Sequence, residues 1–187
     1  MIKVFVDSDI ILDLLAHREP YFEHAAILFT LIDQQKIEAY TSPLIFANLH
    51  YLLKKLTSNT AALKSLRKLK TLINILPVDE RIIEQALNSE FNDFEDAIQY
   101  FTAVNNGVNH LLTRNKVDYK RSKIEISTSE EFLKMWYARK NKWLSYNIFG
   151  VLLKETLEAK QYFGIIIFLF GHVFYFDIDI LCKILYV

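Results

Sequence analysis

A three-layer α/β domain on a central parallel sheet is the fold class this sequence predicts, and three observations carry it. Short β-rich apolar runs, among them IKVFV at 2–6, IEAYT at 37–41 and HLLT at 110–113, alternate with longer segments of helical period. Strands that alternate with helices pair in parallel, and a parallel sheet is covered on both faces. The first strand stops on a carboxylate, Asp7, with Asp9 and Asp13 close behind. From Tyr137 the pattern is lost, so the expected division is a domain over 1–136 and an atypical hydrophobic C-terminal extension over 137–187.

Each element follows from local sequence. IKVFV reads as a buried strand because it is short, β-rich and ended by Asp7. From Asp9 the residues Ile10, Ile11, Leu14 and Leu15 take helical spacing. Pro20 stands where a second helix would open, and YFEHAAILFTLIDQQ continues it. After the strand IEAYT, the segment SPLIFANLHYLLKKL carries an apolar stripe at 45, 49, 52, 53 and 56, with Ser42 as N-cap and Pro43 just after it. Leu63, Leu66, Leu69 and Leu72 or Ile73 predict another helix. NILPV is a predicted strand, and DERIIEQALNS a helix capped by Asp79. The segment DFEDAIQYFTAVNNG is expected to turn Ala97, Ile98, Phe101 and Val104 inward and to stop near Gly107. HLLT and IEIS complete the strands, and SEEFLKMW is a short closing helix.

Composition narrows the function classes. The 22 Lys and Arg residues match 22 Asp and Glu, so no global basic field marks a nucleic-acid or membrane partner. Residues 1–136 hold 16 basic and 18 acidic side chains, so an RNA ligand would need a local basic patch. The single Cys182 excludes an intramolecular disulfide framework and a cysteine-based zinc site, and it suits a reducing compartment. MIKVFVDSD meets a carboxylate before any signal-peptide core develops, so the cytoplasm is the expected location and no membrane partner is expected. In the extension, the apolar run over 162–176 falls short of the roughly 20 residues that span a bilayer. Three readings compete for it: a poor membrane anchor, an extra buried strand pair, or an extension of the reading frame never selected to fold.

The acids are the main functional signal. In open α/β sheets, ligands collect beyond the carboxyl ends of the strands. Asp7 stands there after the first strand, and Asn115 and Asp118 of TRNKVDY occupy the equivalent loop after HLLT. FNDFEDAIQ puts Asp93, Glu95 and Asp96 at the start of the helix feeding that strand, and capping alone explains part of that cluster. Carboxylates gathered at one sheet edge repel one another unless a cation sits between them. Oxygen-only ligation points to a hard ion, Mg²⁺ or Mn²⁺, which can activate water against a phosphodiester. A Gly-rich phosphate loop, GxSxG and HExxH are all missing, and the five His residues (17, 24, 50, 110, 172) are scattered.

VFVDSDIILDLL, DFEDAIQYFTAV and LLTRNKVDYK, in this order, resemble the PIN-domain (PilT N-terminus) nucleases, which include the toxins of VapBC toxin–antitoxin pairs. The resemblance runs over 1–135 and includes the closing IEISTSEEFL; the ordered set is more specific than any one motif. The family's opening strand–Asp–Thr–Asn is matched by Asp7, Ser8 and Asp9, its DA motif by Asp96 and Ala97, and its T-x-D/N-x-x-D-F loop by Thr113, Asn115, Asp118 and Tyr119. What the resemblance implies is a PIN-like fold and a Mg²⁺- or Mn²⁺-dependent endoribonuclease. Carried over, Asp7, Asp96 and Asp118 are the metal-site carboxylates and, with Asn115, the catalytic set; Ser8 and Thr113 are supporting hydroxyls. It also implies an antitoxin protein lying across the site, and a homodimer.

One departure stands out. Where the family usually has Glu, the helix SPLIFANLHYLLKK has Asn48, and Asn115 stands where many members have Asp. Less negative charge predicts weaker metal binding, with Glu95 or Asp93 as a compensating ligand. Arg114 and Lys116, flanking Asn115, are the candidate RNA-phosphate contacts. Lys64, Arg67 and Lys68 share one helical face that either binds phosphate or is simply solvated. Two other functions stay open. Asn48, Asn115 and the neutral net charge would suit a catalytically weak PIN module that binds RNA or a partner protein. Asp7-Ser8-Asp9 has the D-x-D form of small-substrate phosphohydrolases, but their later lysine motif has no match.

Overall fold

The computed structural model describes residues 1–120 and 122–140. In chain order the elements are β1 (Ile2–Val6), α1 (Ser8–Leu15), α2 (Phe22–Asp33), β2 (Ile37–Thr41), α3 (Pro43–Leu56), α4 (Asn59–Leu72), β3 (Asn74–Ile75), α5 (Glu80–Leu87), α6 (Phe94–Asn105), β4 (His110–Leu112) and β5 (Glu125–Ser127). The strands form one five-stranded sheet in the order β3-β2-β1-β4-β5, parallel at every pairing. The predicted α/β class with a parallel sheet flanked by helices is therefore the observed one. Backbone contacts divide the chain into Met1–Met135 and Trp136–Val187, and residues 129–140 are helical. The readings offered for the apolar extension lie outside the described residues. No helix among the described residues is long and apolar enough to cross a membrane.

The strand order has a consequence for function. β1 sits in the middle, with β2 on one side and β4 on the other. The chain leaves β1 in one direction and later returns to its other edge, which makes the β1/β4 crevice a topological switch point, where open parallel sheets bind ligands. Val4, Phe5 and Val6 are fully buried between their neighbours, with Ile37, Ala39, Leu111 and Leu112 beside them. Burying the Phe5 side chain alone contributes on the order of 2 kcal/mol. A rigid central strand thus ends directly at Asp7.

Caps explain where several helices begin. Ser42, Ser58 and Asp79 accept the backbone N–H of Ile45, Ala61 and Ile82, and Asp93 accepts those of Glu95 and Asp96. Each such cap is worth about 1 kcal/mol. Helix α6 ends in a Schellman motif: Gly107 at φ +69° donates to the Val104 carbonyl, and Val108 donates to that of Ala103.

The structure departs from the sequence expectations at five places, one being Leu56, expected on the apolar stripe of α3 but exposed while Ile45, Leu49 and Leu53 are buried. Helix α2 starts at Phe22 rather than at Pro20, because Tyr21 and Phe22 both donate to the Arg18 carbonyl and close a turn first. NILPV contributes only two strand residues; after Leu76 donates to the Thr41 carbonyl at 2.8 Å, Pro77 has no N–H to continue the ladder. In α4 the inward residues are Ala62, Leu66 and Leu69, with Leu63 exposed. In α6 the buried residues are Ala97, Ile98, Tyr100 and Ala103 together with Gln99 and Thr102, while Val104 is exposed. α6 is wedged from two sides: Ala97 and Ile98 cluster with Ile82 and Ala86 of α5, and Phe101 is only partly buried against them.

Candidate active site

Residues 7 and 113 become neighbours through the sheet. Val6 pairs with Leu112 across β1 and β4, and the Asp7 N–H donates to the Leu112 carbonyl at 3.0 Å. Beside it, Thr113 donates through its N–H to the Ser127 carbonyl, which pins the first residue beyond β4. The Thr113 hydroxyl then donates to Asp7 Oδ2 at 2.8 Å, and the Ser8 hydroxyl donates to Oδ1 at 3.0 Å. The Ser8 backbone N–H also donates to Oδ1, so Asp7 caps α1 as well. The two hydroxyls predicted as supports hold the carboxylate from both sides.

Asp7 is only 5% exposed. Burial pushes its carboxyl up from 3.8 to about 6, Thr113 and Ser8 pull back, and the negative charge of Asp9 adds to the rise. Asp96 is pushed to about 7, first by burial and then by repulsion from Asp7, Asp93 and Asp118, with the Tyr119 hydrogen bond opposing. Asp96 therefore senses the charge of Asp7 and of Asp118, which come from two other segments. No Lys, Arg or His among the described residues pairs with any of the three.

The remaining predicted residues sort into pairs. The Asn115 side-chain amide donates to Asp118 Oδ2, and the Asn115 backbone N–H donates to Thr113 Oγ1 at 3.0 Å. On the facing side, the Asn48 amide donates to Glu95 Oε1, which also accepts from Gln99 at 3.3 Å. The carboxylate missing from α3 is thus met by one from α6, with the amide and acid in direct contact. Asp93 is spent on capping α6. Arg114 turns away from the acidic centre: it pairs with Asp9 at 2.9 Å and Asp13 at 3.5 Å and lies over the Tyr21 ring at 4.6 Å. Lys116 pairs with Glu131 at 2.8 Å.

Tyr119 is the site residue that sequence reasoning passed over. It matches an aromatic position of the motif, and its hydroxyl reaches the acids: it donates to Asp96 Oδ1 at 2.9 Å from a residue that is 2% exposed. Burial first, and then the negative charge of Asp7 and Asp96, push its phenol far up, so it stays a donor at any working pH. A polar atom on an otherwise core aromatic, directly after Asp118, was the available signal.

The donor set suits a hard divalent cation, because burial drives the carboxyl groups of Asp7 and Asp96 toward neutrality and neighbouring acids add to it, Asp9 for Asp7 and Asp7, Asp93 and Asp118 for Asp96. The side chains are not drawn together to ligating geometry: no three His, Cys, Asp or Glu among the described residues converge on an ion position.

Fold and site together define an α/β protein with an acidic centre at the switch point of a parallel sheet. The PIN-domain family model matches residues 3–117, and the chain belongs to that family. Over 139 residues it is 27% identical to Ribonuclease VapC1 of Aquifex aeolicus (strain VF5), an alignment covering 72% of this chain and 95% of that protein. A toxin–antitoxin complex from Klebsiella pneumoniae has a similar fold, with a TM-score of 0.53 at 21% identity, over 67% of this chain and 97% of that one. VapBC2 from Rickettsia felis, bound to a DNA fragment from their promoter, gives 0.52 at 16%, over 67% and 97%.

Proposed function

We propose that the protein is a Mg²⁺- or Mn²⁺-dependent endoribonuclease, the toxin of a toxin–antitoxin pair or a PIN relative of one. The observation that carries this reading is the raised pair Asp7 and Asp96, the second repelled by both Asp7 and Asp118, and neither provided with a basic partner among the described residues. Asp7, Asp96 and Asp118 would hold the ion, with Glu95 as an added oxygen in place of a Glu at position 48. When bound, the ion supplies activation of water and charge stabilisation on the phosphodiester. Thr113 and Ser8 fix the Asp7 carboxylate, Tyr119 fixes Asp96, and the Asn115 amide holds Asp118. Residues 1–136 are the nuclease domain in this reading, and 137–187 an extension with no assigned role.

Partners follow from the relatives, which include proteins crystallised with antitoxins. An antitoxin covering the acidic edge, a homodimer and a cytoplasmic location belong to the proposal. Arg114 and Lys116 would reach RNA phosphate only by leaving Asp9 and Glu131, so any contact they make is conditional on that exchange.

A second reading, a catalytically weak PIN module that binds RNA or a partner protein, is favoured by the Asn48–Glu95 contact, which occupies the replacement carboxylate. Purified protein with single-stranded RNA and Mn²⁺ decides between them. Cleavage that vanishes in Asp96→Asn supports the nuclease. Calorimetry that finds no Mn²⁺ binding, with or without RNA, supports the second reading.

A further inference from the structure

We propose that the α3–α4 hairpin is the track by which single-stranded RNA approaches the acidic site, with Tyr51 as a base-stacking platform. The inference rests on the ribonuclease reading for its substrate and on its own observations for its place.

The first observation is a charge asymmetry hidden by the neutral total. From Ala39 through Val78 the chain has no Asp or Glu and six Lys or Arg: Lys54, Lys55, Lys64, Arg67, Lys68 and Lys70. The rest of residues 1–136 carries ten basic and eighteen acidic side chains. The acid-free stretch includes all of α3 and α4, two helices packed against each other. A strand of phosphates is attracted there and repelled by the rest of the domain.

The second observation connects this hairpin to the site. Asn48, Tyr51 and Lys55 are spaced i, i+3 and i+7, one line along α3. At one end Asn48 bonds Glu95, the chain neighbour of Asp96. In the middle Tyr51 is 59% exposed. Lys55 lies over that ring, Nζ 4.0 Å from its centroid, and stands about 10 Å along the helix from Asn48. An exposed aromatic beside a cation is the two-part device that binds single strands without sequence preference, stacking for the base and charge for the phosphate. An acidic peptide would answer the charge but leave the ring without a role.

The test uses the full chain carrying Asp96→Asn, so that binding is read without cleavage. A fluorescent single-stranded oligoribonucleotide is titrated at several salt concentrations. Tyr51→Ala should weaken binding about tenfold, and Tyr51→Phe should restore it. Replacing Lys55, Lys64 and Arg67 together by Gln should flatten the slope of log affinity against log salt by about two. All these side chains are exposed, so circular-dichroism melting should be nearly unchanged. No RNA binding by the Asp96→Asn protein, or binding indifferent to all these changes, overturns the proposal. So does unchanged RNA affinity with loss of binding to an acidic peptide, which would give the surface to a protein partner. If the parent chain fails to cleave RNA while its Asp96→Asn form binds through this hairpin, the nuclease reading falls and the track stands.

Discussion

Asp7 caps helix α1 and Asp13 lies within it, and both are almost completely buried, at 5% and 1% exposure. Burial raises the carboxyl of each, yet the fold treats them in opposite ways. Asp13 is given the protein's own cation but no hydrogen bond: the Arg114 guanidinium stands 3.5 Å from it while bonding Asp9, and Arg18 reaches Asp9 at 3.3 Å. Asp7 receives only hydroxyls and a backbone N–H, and its charged neighbours are other acids. A buried carboxylate with a guanidinium is a structural element. One surrounded by further carboxylates is, in the proposed reading, where a foreign cation would be held. On the proposed reading, the same chemistry in two places on one short helix separates scaffold from site.

The largest effect that can break this comparison is on cleavage. Asp96→Asn keeps an oxygen for the Tyr119 hydroxyl but removes the charge, and RNA cleavage in Mn²⁺ should fall by at least about 100-fold. The same change should leave the metal-free protein at least as stable, because it removes a charge that burial disfavours. Activity retained in the purified variant would erase the functional half of the contrast. In the structural half, Arg114→Met strands Asp13 without its cation and should cost about 3 kcal/mol in urea denaturation. The double variant with Asp13→Asn should recover much of that loss. An additive result would mean that Arg114 does not compensate Asp13.

Acidity sharpens the comparison further. A carboxyl whose folded value is raised is favoured by the fold in its protonated form, so its stabilising effect is complete below the unfolded value and is lost as pH rises through the folded one. For Asp7 the window runs from 3.8 to about 6, and for Asp96 it reaches about 7. Asp7 alone should make the metal-free protein on the order of 2–3 kcal/mol less stable above that window than below it. Other carboxylates oppose this at the acid end, so the difference between parent and Asp7→Asn melting curves, not the raw curve, reads it. Mn²⁺ should raise the melting temperature at pH 8 and do little at pH 5, where protons occupy the same oxygens. A shift of equal size at both would place the ion elsewhere.

How much of this was legible in the sequence depended on the distance over which each feature is decided. IKVFV and IEAYT carry their own β preference and became β1 and β2 residue for residue. Ser42 with Pro43, and Asp79, announced helix starts because capping is settled within a turn. Asp7 and the loop of Asn115 and Asp118 could be placed at one edge because each follows a strand of a parallel sheet. The face of α6 could not, because α5 and the sheet compete for it and the hydrophobic stripe does not say which side wins. Nor could the partner of Arg114: its position beside Asn115 suggested phosphate, while the acids that hold it lie more than a hundred residues earlier. Long-range ion pairs leave no periodic trace.

The smallest expected effect tests whether Tyr119 belongs to the site or to the core. Tyr119→Phe keeps the buried ring and deletes only the hydroxyl that donates to Asp96 at 2.9 Å. That bond holds the Asp96 carboxyl down against burial and its acidic neighbours, so its loss should raise Asp96 further and let protons compete better with the ion. Mn²⁺ affinity by calorimetry should weaken a few-fold at pH 6, with a smaller change at pH 8, for a stability cost of about 1 kcal/mol. A purely structural tyrosine would give the stability loss with the same affinity change at both pH values. The pH dependence is therefore the discriminating quantity, since Thr113 and Ser8 do for Asp7 what this single hydroxyl does for Asp96.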